Sequence, residues 1–71
     1  MNKKYEFVKI IEWKRGDVQH HSVVDYTRGD SEGGPGLATE VVKMFGGWGY
    51  QIASVSHPDP DTTVYMMQRE Q

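Results

Sequence analysis

Leu37-Ala38-Thr39-Glu40-Val41-Val42-Lys43-Met44-Phe45-Gly46-Gly47-Trp48-Gly49-Tyr50-Gln51-Ile52-Ala53-Ser54-Val55 is the stretch from which the fold is read. Leu37, Val41, Met44 and Phe45 recur at i, i+4, i+7 and i+8, the spacing of one stripe on a short helix of about three turns. Gly46 and Gly47 follow at once. Glycine permits the left-handed residue on which helices commonly end, so a stop is expected there. Tyr50 to Ser56 then alternates apolar and polar side chains, the period of a strand.

Working upstream, Lys4 to Lys14 also alternates, with Tyr5, Phe7, Ile11 and Trp13 on one face and Val8 and Ile10 among the charges of the other. Arg15-Gly16-Asp17 has turn chemistry, and Val18 to Thr27 resumes a β-branched and aromatic run, which predicts a hairpin. Arg28 to Gly36 holds four glycines, a proline and no apolar side chain to bury, and is expected to be a loop. Downstream, His57-Pro58-Asp59-Pro60-Asp61 breaks the strand because proline has no N–H to give the ladder, and Thr62 to Arg69 supplies a second hairpin.

The expected order is therefore β-β-α-β-β: an α+β domain, residues 1–71, with a small antiparallel sheet of three to four strands and one short helix packed on one face. Apolar residues occupy both sheet faces, and one helix covers only part of one. Some of Val8, Ile10, Trp13, Met66 and Met67 are left for solvent or for another subunit, and the subunit is the favoured reading.

Gly46-Gly47-Trp48-Gly49-Tyr50-Gln51-Ile52-Ala53-Ser54-Val55 resembles the helix exit of domain-of-unknown-function family 4177, a group of short bacterial and phage domains. Tyr5 to Ile10 and Tyr65 to Glu70 resemble the first and last strands of that family. The resemblance implies a small β-α-β-β fold with no established activity, and the physical reading of the residues agrees: Gly46 is expected as the residue after the helix, Gly49 in the turn to the sheet, and Tyr50 buried under the helix with its hydroxyl partnered. The chain departs from the pattern in a longer connection from about Trp13 to Pro35, and in Trp48, which fills a position that is commonly polar.

A chain of 71 residues has room for one domain and buries only about 60% of its unfolded surface. With no cysteine, it has neither a disulfide nor a thiolate metal site, and its opening residues run into a strand without an apolar leader; a cytoplasmic setting, in a bacterium or a phage-infected cell, is the expectation. No apolar run approaches the roughly 20 residues of a membrane helix, so no membrane partner is expected. Ten acidic against eight basic residues give a net charge of −2, which lacks the basic field that draws nucleic acid.

Trp48, flanked by glycines, is a candidate binding anchor, because tryptophan offers a large contact area at low entropic cost. The Val18 to Gly36 excursion contributes Arg28 and Asp30, and Trp13 belongs to the uncovered sheet face. Arg28-Gly29-Asp30-Ser31 spells an adhesion tetrapeptide, but ordinary turn chemistry already accounts for it. Gly33, Gly34 and Gly36 ahead of the helix form a further candidate, a cradle for a small anion at a helix N-terminus, opposed by Asp30 and Glu32. His20 and His21 are adjacent and point to opposite faces of a strand, so they do not share a metal ion, and Asp59 and Asp61 read as turn residues. No spacing sets a nucleophile beside a base. The expected function is a non-catalytic, homo-oligomeric interaction module without a cofactor. The competing readings are an inhibitor of a host defence complex, of the anti-CRISPR type, and a protein that sequesters a nucleotide or similar anion.

Overall fold

A computed structural model describes residues 4–26 and 28–70 of the chain. They form β1 (Tyr5–Arg15), β2 (Val18–Asp25), β3 (Asp30–Pro35), α1 (Ala38–Gly47), β4 (Gln51–Asp59) and β5 (Thr62–Glu70). The opening residues 1–3 and Thr27, the expected end of the second strand, lie outside the described residues. The strands make one antiparallel sheet in the order β3-β2-β1-β5-β4, with β1 at its centre. The fold is α+β as expected, with five strands rather than three to four and the order β-β-β-α-β-β.

The extra strand is β3, drawn from the stretch expected to be a loop. It has almost no side chain to bury, yet its backbone pairs with β2, placing Gly33 opposite Ser22 and Gly34 opposite His21. A Cβ on Gly33 would lie 2.7 Å from the His21 carbonyl oxygen, so this close approach needs glycine. A ladder can form on backbone hydrogen bonds alone, which composition does not reveal. The last strands form the expected hairpin, but β4 runs on through Pro58 to Asp59, beyond the expected break. It is an edge strand with register irregularities after Ile52 and Ser56, where a residue without an N–H is tolerated.

Alternation along β1 puts Glu6, Val8, Ile10 and Glu12 under the helix and Tyr5, Phe7, Lys9, Ile11 and Trp13 on the open face. Val8 and Ile10 are fully buried, and Met67, opposite Val8 on β5, joins them. These three, expected to be partly uncovered, are therefore the centre of the core. Each contributes about 1.5–3 kcal/mol by leaving water. The helix adds Ala38 and Phe45, with Val41 and Val42 packed alongside. Its buried stripe is thus rotated from the expected one: Leu37 precedes the helix and is 54% exposed, and Met44 is also exposed.

The two ends of α1 are fastened to β1 by carboxylates. Leu37 occupies the N-cap position and has no side chain that can cap; in its place the Ala38 N–H donates to Glu12 Oε2 at 2.6 Å, across 26 residues of sequence. The carboxylate also lies favourably at the positive end of the helix dipole. At the other end the helix continues through Gly46 and Gly47 to Trp48, and the left-handed residue is Gly49, φ 92°. Gly46 is thus helical rather than the residue after the helix. Past this turn Tyr50 is buried, and its hydroxyl donates to Glu6 Oε2 at 3.1 Å, while Arg69 Nη2 donates to the same oxygen at 2.7 Å. No helix among the described residues is long and apolar enough to cross a membrane.

Replacing Glu12 by Ala should lower the unfolding free energy by about 1–2 kcal/mol in urea melts, the usual cost of losing an N-cap. Glu12→Gln, which keeps an acceptor oxygen, should lose less; equal losses for the two variants would show that capping is not what Glu12 contributes. Tyr50 gives a second test. Burial, then the hydrogen bond to Glu6, raise its pKa above the ordinary tyrosine value, with Arg69 partly opposing. The folded chain therefore holds this proton more tightly than the unfolded chain, and the stability Tyr50 contributes is full below about pH 10 and falls as pH rises past it. Thermal melts from pH 8 to 11 should show that loss in the parent chain and a weaker one in Tyr50→Phe.

Candidate functional site

Where the C-terminal end of α1 meets the tip of the β2–β3 hairpin, the helix side of the sheet holds a groove of about 420 Å³. One wall is aromatic. The Phe45 ring stands edge-on to Trp48 (centroids 5.2 Å, 87°) and edge-on to Tyr50 (5.2 Å, 86°), an arrangement favoured by the ring quadrupoles. Phe45 and Tyr50 are buried, whereas Trp48 is 54% exposed. The turn through Gly49 makes this possible. It brings Tyr50 back under the helix end and leaves Trp48 outside, with its backbone N–H bonded to the Phe45 carbonyl.

Arg69 forms the floor beside Tyr50. Its guanidinium carbon lies 4.5 Å from the Tyr50 ring centroid, and Nη1 donates to the Trp48 carbonyl at 2.7 Å while Nη2 is held by Glu6. The hydrogen bond to Glu6 is the main reason the Arg69 pKa is raised further. Tyr50 and Arg69 therefore both keep their protons at neutral pH, and neither offers a base. Their place in the groove is to shape and charge it.

The other wall comes from the hairpin tip, where Asp25, Asp30 and Glu32 face the helix end. Asp25 and Asp30 are direct cross-strand partners. Arg28, in the turn between them, donates its backbone N–H to Asp25 Oδ1 at 3.2 Å, and its Nε lies 3.8 Å from Asp25 Oδ2. Gly29, φ 76°, closes that turn.

The groove brings together three of the four residues expected to bind: Trp48, Arg28 and Asp30. Trp13 is elsewhere, on the open face of the sheet, stacked on His20 (5.6 Å, 16°). There it has Phe7 and Ile11 of β1, Val24 of β2, and Val64 and Met66 of β5 as neighbours on the same face, with Lys9 in their midst. His21 points to the helix side instead and donates from Nδ1 to the Gly36 carbonyl at 3.3 Å.

Gly33, Gly34 and Gly36 do not form the expected cradle. The first two are β-ladder residues, the Gly36 N–H is bonded to the Gln19 carbonyl, and the first helical amide, that of Ala38, is already taken by the chain's own carboxylate, Glu12. Sequence reasoning missed Glu6, Asp25, Glu32 and Arg69 as parts of a site. A usable signal was present in β1, where Glu6 and Glu12 share a face with Val8 and Ile10: two carboxylates flanking an apolar pair on a buried row need donors.

No family model, curated protein or solved structure matches the chain.

Proposed function

We propose that the chain is a small non-catalytic interaction module that pairs with a second copy of itself through the open face of its sheet. The observation that carries this reading is the division of apolar residues between two faces with only one cover. Among the described residues the buried core holds seven side chains, all on the helix side. Phe7, Ile11, Trp13, Val24, Val64 and Met66 lie on the other side, with no element among the described residues over them.

Magnitudes support the same reading. The chain exposes 5083 Å² of surface, where a compact monomer of its mass exposes about 4500 Å². Five strands about 4.8 Å apart and some nine residues long offer a face of about 700 Å², close to the roughly 800 Å² per partner of a standard interface. Two such sheets packed face to face would hide their aromatic and aliphatic rows from water, while Lys9 and Glu70 on the same face favour an antiparallel alignment that brings opposite charges together. We place this module in the cytoplasm, where a chain without cysteine needs no oxidising compartment. A relation to domain-of-unknown-function family 4177 is proposed as well; in its support, β1, α1, β4 and β5 follow one another in the order that family implies.

Sedimentation equilibrium at about 100 µM should give a mass twice the 8.1 kDa of the chain, and the melting temperature should rise with concentration. Ile11→Asp places a charge at the centre of the face and should return the mass to one chain while the far-ultraviolet circular dichroism is kept. Met66→Glu should do the same. A parent chain that sediments as a single copy throughout this range sinks the proposal.

A further inference from the structure

We propose that the groove at the C-terminal end of α1 takes a basic side chain, lysine or arginine, carried by an extended peptide that aligns along the free edge of β3. This goes beyond self-association, which uses the opposite side of the sheet.

The walls of the groove suit a cation on two counts. Trp48 presents an exposed ring, and aromatic faces attract ammonium and guanidinium groups. The chain already shows the preference internally, in the Arg69 guanidinium resting on the Tyr50 ring at 4.5 Å. Asp30 and Glu32 supply negative charge beside Asp25, which already holds Arg28. The cations already present are committed: Arg69 to Glu6 and the Trp48 carbonyl, Arg28 to Asp25.

The edge of the sheet argues for a peptide as the carrier. β3 is the outermost strand, its outer edge is unpaired among the described residues, and it borders the groove through Asp30, Ser31 and Glu32. Gly33 and Gly34 follow without side chains to hinder a new strand. An extended segment can extend the ladder there and turn alternate side chains toward the helix side, one of them into the groove. A volume of about 420 Å³ admits a long basic side chain.

The test is an NMR titration of the ¹⁵N-labelled chain at low salt with three probes: a blocked peptide of threonine, valine, lysine, valine and threonine; the same peptide with norleucine for lysine; and n-butylammonium chloride alone. The lysine peptide should shift the Trp48 indole and the amides of Ser31 to Gly34 and leave the Trp13 indole in place. The norleucine peptide should bind at least about tenfold more weakly, and so should the lysine peptide to the Asp30→Asn, Glu32→Gln double variant or to Trp48→Ala. Equal binding of the lysine and norleucine peptides would overturn the cationic reading. Butylammonium binding as tightly as the peptide, without shifts in β3, would overturn the peptide reading, and no binding of any probe would overturn both. Ile11→Asp should bind the lysine peptide as the parent does, so failure of self-association and failure of the groove are read separately.

Discussion

The two carboxylates of β1 hold the architecture together. A ten-residue helix with leucine at its N-cap is marginal by itself in water, because nucleation is costly and its first amides have no acceptor within the helix. Glu12 supplies that acceptor, and Glu6 ties down the chain just past the other end through Tyr50 and Arg69. Six residues of strand separate the carboxylates, about 20 Å, which matches the roughly 15 Å of helix plus the turn that leads to Tyr50. Between them Val8 and Ile10 receive Ala38 and Phe45. The apolar contacts supply most of the stabilisation, and the carboxylates set where along the strand those contacts form.

This placement explains why the groove exists. Held between Glu6 and Glu12, α1 covers mainly β1 and β2 and stops short of the hairpin tip. The turn at Gly49 then has to bring Tyr50 inward, and the residue before it, Trp48, is left facing out. Asp25, Asp30 and Glu32 stand beside the end of the helix, because α1 packs on β1 and β2 and leaves the outermost strand β3 out of its reach. The same carboxylate that anchors Tyr50 also positions Arg69 against the ring, so fold and site share Glu6.

The helix, the first hairpin, the strand into Val55 and the two-layer α+β arrangement were legible in the sequence because each rests on side-chain periodicity or on glycine at a turn. β3 was not, since its pairing is carried by backbone groups and by a glycine that permits close approach. The choice of core face was also hidden: Tyr5, Phe7, Ile11 and Trp13 look like the more apolar row, yet the row with Val8 and Ile10 is buried because its two glutamates find donors on the helix and beyond it. Trp48, Arg28 and Asp30 were identifiable singly as exposed or loop-borne residues. Their meeting in one groove depends on the strand order, which places the hairpin tip beside the helix end and which local sequence does not encode.

A sheet with one short helix has two unlike surfaces by construction. The helix side offers a charged, aromatic groove at its end, and the open side offers an apolar row with few charges. Pairing through the open side would leave both grooves of a dimer on its outer sides, so a dimer would present two identical sites to one partner. Two weak contacts joined in that way can exceed the affinity of either by about 10²–10⁴-fold without any new contact. The small size of the groove is then no obstacle to tight binding of a partner that carries two basic segments at the right separation. On this argument the open face and the groove are not rival sites: one sets the number of grooves, and the other sets what enters them.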